Sequence, residues 1–276
     1  IKKNDIVFYV SPESKGWFNA NMNDLNAINP KTNKKRWQWE STTFKILSYY
    51  ADPNGIYIDI GAWIGPTVLY AASQYGKVYC FEPDPSALKK LKANLKVNNF
   101  KNIELIEKGV SNKNGEAKLG GNGPLGNSES TLLVADDDFI ENGGEKKRHK
   151  SRDAKQNRDY RNTEIVTINT ITPDTFIKEY DVNINNIALI KIDIEGGEKI
   201  VIPAMKKFLT RIKPTLYISL HWVFITRNDI KNILNILFKI YKYCYKTDLK
   251  TLITMDQVLE SETTSLIFTE KVNRIN

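Results

Sequence analysis

A glycine turn between two apolar runs is the feature that most restricts how this chain can fold. Residues 56–60 form a short apolar run, the turn 61–65 contains two glycines, and Pro66 suits the first position of a helix. A second apolar run follows and ends at Glu82. Strand, glycine turn, helix and strand in this order predict a parallel α/β sheet with a ligand at the strand ends.

The residues of the turn restrict the ligand. A carboxylate at the position of Glu82 can accept hydrogen bonds from both hydroxyls of a ribose. A dinucleotide turn needs a second glycine where the pyrophosphate approaches, but here Ala62 and the bulky Trp63 follow Gly61. The turn therefore disfavours a dehydrogenase, and a tight connection without a ligand stays open.

Alternating strands and helices continue beyond this unit. We predict an α/β fold with a mostly parallel central sheet, helices on both faces and an antiparallel C-terminal strand. The predicted strands are 6–10, 56–60, 78–82, 103–106, 164–168, 188–192, 215–220, 251–253 and 265–268, and the predicted helices are 37–50, 66–75, 85–97 and 229–244.

Length and composition favour one domain. A chain of 276 residues with 41% hydrophobic content can bury a full core, and no apolar run approaches the roughly 20 residues of a membrane span. We predict a cap segment at 1–50 and a domain at 51–276 with an insertion at 120–163. Cys80, in a predicted strand, and Cys244, in a predicted helix, suggest buried thiols and a cytoplasmic setting.

The charge and the insertion leave two interpretations open. The net charge of +8 permits an anionic partner, but scattered lysines are also typical of solvated helix faces, and no nucleic-acid recognition module is visible. The basic stretch 146–161 includes Lys147, Arg148 and Lys150, which we predict to contact an anionic group of the substrate. A surface insertion without substrate contact is the alternative.

A second group of polar residues follows two later strands. The apolar run 187–192 leads to Asp193, Glu195 and Glu198, and the run 215–220 leads to His221 and Trp222. Both runs should end at the ligand edge of the sheet. We predict Asp193, Glu195 and His221 as catalytic groups, with a neutral His221 able to take a proton.

Other roles are predicted for the same group. A divalent cation held by Asp193, Glu195 and His221 is the competing arrangement, and carboxylate-rich ligation suits Mg²⁺ better than Zn²⁺. Glu198 is expected to be structural or to face solvent at the start of the next helix. Trp222 is predicted to contact the substrate.

Together these pieces resemble the FkbM family of S-adenosylmethionine-dependent methyltransferases. The resemblance covers residues 39–222. Its matching pieces are Trp39-Glu40, the turn Asp59 to Gly65, Phe81-Glu82-Pro-Asp-Pro85, Asn94, Asn98, the block Lys191 to Glu198, Lys213-Pro214 and the strand end Ser219-Leu-His221. The family usually has a glutamate shortly before the histidine, where this chain has Ser219.

The resemblance implies a Rossmann-like class I methyltransferase fold and S-adenosyl-L-methionine as cofactor. The methionine part would lie on the Gly61 turn, the ribose on Glu82 and the adenine near 109–111. The residues it implies for the cofactor are Glu40, Asp59, Gly61, Ala62, Trp63, Gly65, Glu82, Pro83, Val110, Ser111 and Asp193.

The implied reaction is O-methylation of a sugar hydroxyl on a glycan, a nucleotide sugar or a glycoconjugate. An RNA methyltransferase and a non-catalytic module that binds a glycan or a partner are the alternatives, since fold alone does not decide function.

Overall fold

The structure is a computed structural model that describes residues 1–24, 38–121, 124–132 and 164–273. The predicted basic contacts Lys147, Arg148 and Lys150 lie outside the described residues. The helices and strands are, in chain order, β1 (Lys2–Lys3), β2 (Ile6–Val7), α1 (Pro12–Asn21), α2 (Ser41–Tyr49), β3 (Ile56–Ile60), α3 (Pro66–Ala71), β4 (Lys77–Phe81), α4 (Pro85–Lys96), β5 (Ile103–Ile106), β6 (Gly109–Val110), β7 (Gly115–Gly121), β8 (Ser130–Thr131), β9 (Val166–Ile171), α5 (Pro173–Glu179), β10 (Ile187–Ile192), α6 (Glu198–Ile212), β11 (Thr215–Ser219), α7 (Arg227–Ile240), β12 (Tyr243–Lys246), α8 (Met255–Ser261) and β13 (Ser265–Thr269).

The central sheet has seven strands in the order β12-β13-β11-β10-β3-β4-β5. The pairs from β5 to β11 are parallel, and β13 runs antiparallel to both β11 and β12. The chain moves outward from β3 through β4 to β5, then returns to the other side of β3 with β10. A reversal of this kind opens a crevice at the carboxyl ends of β3 and β10.

Two apolar layers cover the sheet because its side chains alternate between faces. Ile58, Ile60 and Ile190 pack with residues of α6 and α7. Tyr57 and Leu189 pack on the other face, with residues of α2, α3 and α4. The predicted α/β fold, with a mostly parallel central sheet, helices on both faces and an antiparallel C-terminal strand, is confirmed.

Residues 1–24 and 38–50, here called the cap, pack on the second face. Phe8, Phe18 and Met22 are buried in the same apolar cluster as Phe44 of α2 and Tyr70 of α3. The predicted strand 6–10 is reduced to Ile6–Val7, and the helix predicted over 37–50 begins at Ser41.

Two strand predictions in the later part of the chain were wrong. The predicted strand 164–168 corresponds to β9, which belongs to a separate sheet of order β6-β9-β7-β8 rather than to the central sheet. The predicted strand 251–253 is a single bridge between Tyr245 and Leu252.

The predicted end of the helix 229–244 was also wrong. The helix α7 stops at Ile240, and Tyr241 is extended with φ −102° and ψ 143°. The run Tyr243-Cys244-Tyr245 forms β12, because aromatic residues suit a half-buried strand. Cys244 therefore lies in a strand, while the prediction of two buried thiols is confirmed.

Among the described residues, no helix has both the length and the apolar composition needed to cross a membrane.

Candidate active site

The backbone of the glycine turn after β3 contacts the ends of two neighbouring strands, β4 and β10. The amides of Gly61 and Ala62 donate to the carbonyl oxygen of Phe81 over 3.2 and 3.0 Å. Gly61 has φ +95°, and a Cβ there would collide with the carbonyl oxygen of Asp193. Only glycine lets the two strand ends approach this closely.

Trp63 occupies the turn in a conformation unusual for a bulky residue, with φ +50°. Its ring contacts Trp17 at a centroid distance of 4.8 Å and Trp39 at 6.2 Å, and Trp17 and Trp39 lie 5.3 Å apart. We call these three residues the tryptophan cluster. The cap therefore lies directly against the predicted cofactor turn. The resemblance implied this proximity for Glu40, but the contacts of Trp63 with Trp17 and Trp39 were not predicted.

Glu82, at the end of β4, is 6% exposed and faces the same turn. Its two carboxylate oxygens accept from the amides of Trp63, at 2.7 Å, and Asp84, at 2.8 Å. Burial raises the pKa of Glu82 to about 7, although both amides act in the opposite direction. Each oxygen retains accepting capacity, so the residue fits the ribose hydroxyls expected there.

Asp84, two residues after Glu82, forms hydrogen bonds that hold residues 124–132 of the insertion next to this turn. Its Oδ1 accepts from the amides of Ser86 and Ala87 and so caps helix α4. Its Oδ2 accepts from the Gly126 amide and the Ser130 hydroxyl, at 2.7 and 2.6 Å. The indole of Trp63 donates to the Gly126 carbonyl at 3.0 Å. Residues 124–132 therefore lie over the turn.

Asp59 lies beneath the turn and is fully buried. It accepts from the Thr67 hydroxyl and forms an ion pair with Lys191 at 3.3 Å. Lys191 also contacts Asp193 Oδ2 at 3.2 Å. Asp59 would thus support a cofactor through these partners rather than from the open surface.

Lys191 was missed by sequence reasoning, although a lysine inside an apolar strand was a visible signal. Burial lowers its pKa, but Asp193, Asp59 and Glu40 together hold the pKa of Lys191 above its ordinary value. The lysine is therefore a fixed positive charge among carboxylates.

Glu40 reaches the site from the cap. It adopts φ 39° at the start of α2 and accepts from the Thr43 hydroxyl at 3.1 Å. Burial and the charge of Asp193 raise the pKa of Glu40 to about 7, while Lys191 lowers it. This residue lies outside the glycine turn in sequence but inside the same group of charges.

Three carboxylates surround His221, and we call these four residues the carboxylate–imidazole cluster. His221 Nε2 lies 3.3 Å from Asp193 Oδ1 and 3.5 Å from Glu195 Oε2, while Nδ1 lies 2.9 Å from Glu198 Oε1. The structure thus brings the three predicted catalytic residues together. Glu198 is a further member, fully buried rather than facing solvent.

The charges in the cluster shift one another. Burial lowers the pKa of His221, but Glu198 and Asp193 raise it well above the ordinary value, so the predicted neutral imidazole is not the favoured form here. Burial raises the pKa of Asp193, but Lys191 and His221 hold it below its usual range. Burial raises the pKa of Glu195 to about 8.

Other predicted contacts have partners within the protein. Trp222 is 8% exposed and its indole donates to the Thr263 carbonyl at 3.1 Å, and its contact with the substrate stays a prediction. The Val110 side chain lies in the apolar core, and the Ser111 amide donates to the Ile171 carbonyl. Their contact with an adenine stays a prediction.

Comparison with known proteins places the chain in a family. Residues 59–246, more than half of the chain, match the Methyltransferase FkbM domain. An uncharacterised protein of Methanocaldococcus jannaschii is 39% identical over 67 residues, which are 24% of this chain and 26% of that protein. The match therefore spans about a quarter of that relative's length.

Solved structures are also similar. The methyltransferase FkbM from Methylobacillus flagellatus aligns with 18% identity and a TM-score of 0.44, covering 78% of this chain and 44% of that one. A putative methyltransferase from Streptococcus mutans, in complex with SAH, aligns with 16% identity and a TM-score of 0.41, covering 82% and 92%. On the strength of the domain match, this chain belongs to the FkbM-domain methyltransferase family.

Proposed function

We propose that this protein transfers a methyl group from S-adenosylmethionine to a hydroxyl of a sugar carried on a glycan, a nucleotide sugar or a glycoconjugate. One observation carries the proposal: the Gly61 turn contacts the backbone of Asp193. A cofactor on this turn would lie beside the carboxylate–imidazole cluster. Donor and acceptor would therefore meet at the crevice between β3 and β10.

The charge of the site supports a cationic cofactor. Lys191 and His221 are surrounded by five carboxylates, those of Glu40, Asp59, Asp193, Glu195 and Glu198. S-adenosylmethionine carries a sulfonium and an ammonium group and no phosphate. Glu195 and Glu40 ionise near neutral pH, and a neighbouring cation favours their ionised form. Trp63 occupies the turn that a pyrophosphate would need.

The reaction breaks the carbon–sulfur bond of the sulfonium and forms a carbon–oxygen bond to the acceptor. The hydroxyl proton passes to a carboxylate of the cluster, and S-adenosylhomocysteine leaves as the neutral thioether. Because the leaving group is good and the hydroxyl is a weak nucleophile, the protein contributes alignment and proton removal. Asp193 and Glu195, with side chains 19% and 17% exposed, are open to such an acceptor.

A sugar suits this cluster because it offers several adjacent hydroxyl donors to grouped carboxylate acceptors. The proposal for a sugar rests on that chemistry and on the family resemblance. The described residues offer no comparable support for RNA as acceptor.

Calorimetric titration of S-adenosylhomocysteine into wild type, Glu82→Ala and Glu107→Gln tests the cofactor site. Glu107, after the end of β5, is a matched control, because it is half exposed and, among the residues that the structure describes, forms an ion pair with Lys92 alone. We expect micromolar binding that Glu82→Ala weakens at least about tenfold, the loss of roughly one charge-assisted hydrogen bond. Absence of binding to folded wild type would favour the non-catalytic alternative.

The acceptor is tested next with isotopically labelled S-adenosylmethionine and a panel of monosaccharides, nucleotide sugars, glycans and RNA. Label in a sugar product, located on oxygen by mass spectrometry, is expected. Label in RNA alone would overturn the sugar proposal while leaving the cofactor site intact.

A further inference from the structure

We infer that Asp193, Glu195 and His221 bind one divalent cation of the Mg²⁺ or Mn²⁺ class, and that Glu198 orients His221 as its ligand. The inference rests on the proposed function, because the cation lies on the acceptor side of the cofactor turn. The alternative is that these residues act as an acid–base cluster without a metal ion.

The positions of three ligand atoms carry the first step. One atom each from Asp193, Glu195 and His221 can be chosen so that all lie within 4.8 Å of one another. The distances from Nε2 to the two carboxylates are 3.3 and 3.5 Å. Neighbouring ligands of an octahedral Mg²⁺ or Mn²⁺, each about 2.1 Å from the ion, lie about 3 Å apart, so modest side-chain movements would close this set around one ion.

Glu198 provides an independent observation. It is fully buried, and its Oε1 faces His221 Nδ1 at 2.9 Å while accepting from the Ile194 amide at 3.1 Å. Its Oε2 has no hydrogen-bond partner in the described part of the chain. A carboxylate is costly to bury incompletely paired, and a positive charge on His221, or on a cation that His221 binds, offsets this cost.

The contact between Glu198 and His221 has the form found behind metal-ligating histidines. When a cation replaces the proton on Nε2, the proton that remains on Nδ1 is donated to Glu198, and the lone pair of Nε2 faces Asp193 and Glu195. Metal-bound histidines almost always donate their other nitrogen to a carboxylate or carbonyl in this way. The buried carboxylate therefore fixes the tautomer that a cation requires.

The two oxygens of Asp193 have separate partners. Oδ2 pairs with Lys191 at 3.2 Å, whereas Oδ1 is the oxygen that faces His221. Lys191 therefore neutralises one side of the carboxylate and leaves the other for a ligand bond. The side chains of Asp193, Glu195 and His221 are 16 to 19% exposed, so an ion has a path of entry.

Two oxygens and one imidazole nitrogen leave room around an octahedral ion for the acceptor. A cation there binds adjacent sugar hydroxyls and lowers the pKa of the hydroxyl to be methylated. The carboxylates then hold the ion, and the imidazole needs no proton.

The test uses the full chain, freed of metal with EDTA, and Mn²⁺ alone as the probe. Free Mn²⁺ is measured by electron paramagnetic resonance in wild type, Glu195→Gln, Glu198→Gln and the control Glu107→Gln. We expect one bound ion in wild type and control. Affinity should fall at least tenfold in Glu195→Gln, and by about 10- to 100-fold in Glu198→Gln through the loss of a supporting carboxylate.

Two further readouts separate ligand binding from folding and from the proposed function. Thermal melting without metal should be similar in all four proteins, whereas added Mn²⁺ should raise the melting temperature of wild type and control more than that of the two variants. S-adenosylhomocysteine binding should persist in Glu195→Gln.

No Mn²⁺ binding by wild type, or equal binding by wild type and Glu195→Gln, would overturn the cation site. If S-adenosylhomocysteine still binds in that case, the proposed methyl transfer survives. If Mn²⁺ binds and the cofactor does not, the cation site stands and the proposed function fails.

Discussion

At the scale of single residues, Glu82 shows how burial and function are linked. The pKa of Glu82 is about 7 in the folded protein and near 4.5 in the unfolded chain. Between about pH 4.5 and pH 7, Glu82 therefore keeps its proton in the folded protein and has lost it in the unfolded chain. Ionising Glu82 therefore costs folding free energy as the pH rises from about 4.5 to about 7. A ligand that donates hydroxyl hydrogen bonds to the carboxylate compensates for this cost.

Cofactor affinity should consequently depend on pH. Ribose hydroxyls prefer the ionised carboxylate, so we expect affinity for S-adenosylhomocysteine to rise from pH 6 to pH 8, by at most about tenfold per unit below the pKa. Titrations at pH 6, 7 and 8 measure it. Glu82→Gln should bind more weakly with a flatter profile.

Glu40 titrates in the same range, which makes Glu40→Gln the informative comparison. This variant should keep the part of the pH dependence that comes from Glu82. A profile that is unchanged in Glu82→Gln would contradict the assignment of the carboxylate to the ribose.

The sequence identified most residues of the candidate site but not the contacts between them. The sequence predicted that Asp193, Glu195 and His221 lie at one edge of the sheet, because each follows a strand and parallel strands end at the same edge. The roles of Lys191 and Glu198 were not predicted, because each role depends on a partner that is distant in sequence. The partner is Asp59 for the lysine and His221 for the glutamate. The burial of the Trp222 side chain likewise involves a distant partner, the carbonyl of Thr263, which accepts a hydrogen bond from the indole.

At the scale of elements, helix α4 connects the cap to the cofactor turn. The side chain of Asn94 is fully buried, accepts from the Ser11 amide at 2.8 Å and donates to the Ile64 carbonyl at 2.8 Å. Four residues later, Asn98 binds the amide and carbonyl of Tyr9 at 2.9 and 2.8 Å, but in contact with solvent. The two asparagines form similar bonds at different depths.

This difference predicts unequal effects of the same substitution. Asn94→Ala leaves a buried amide and a buried carbonyl unpaired, so we expect a loss of roughly 2 to 4 kcal/mol in the free energy of unfolding. In Asn98→Ala, water replaces the lost bonds and the loss should be about 1 kcal/mol or less. Urea denaturation measures both, and equal losses would contradict this account.

The spacing of apolar residues predicted the helices and strands better than it predicted which strands pair with each other. The helix predicted over 85–97 corresponds to α4 (Pro85–Lys96), because an N-cap and an apolar face are local features of the sequence. The strand β9 was recognised in part, but its pairing with β7 was not. Pairing across a long insertion leaves no local trace in the sequence.

At the scale of the whole molecule, cap and sheet share one apolar core. Phe18 is buried in the cap and contacts Phe8 and Trp17, while the same cluster extends to Tyr57 of β3 and Ile267 of β13. The cap is thus packed as part of the domain that carries the site. We propose that the two unfold as one unit.

Phe18→Ala tests this continuity. Removing a fully buried ring should cost about 3 to 5 kcal/mol, and urea unfolding followed by circular dichroism should remain a single transition shifted as a whole. Val7→Ala, at a residue 59% exposed, is the control and should change little. A separate early transition in Phe18→Ala would show that the cap unfolds on its own.

The tryptophan cluster makes the cofactor turn optically visible. Three of the five tryptophans of the chain lie within 6.2 Å of one another by ring centroid, and Trp63 belongs to the turn itself. Indoles in such proximity couple their electronic transitions and exchange excitation energy. A ligand that displaces Trp63 by a fraction of an ångström would therefore alter the near-ultraviolet dichroism and emission of the native protein, without any attached dye.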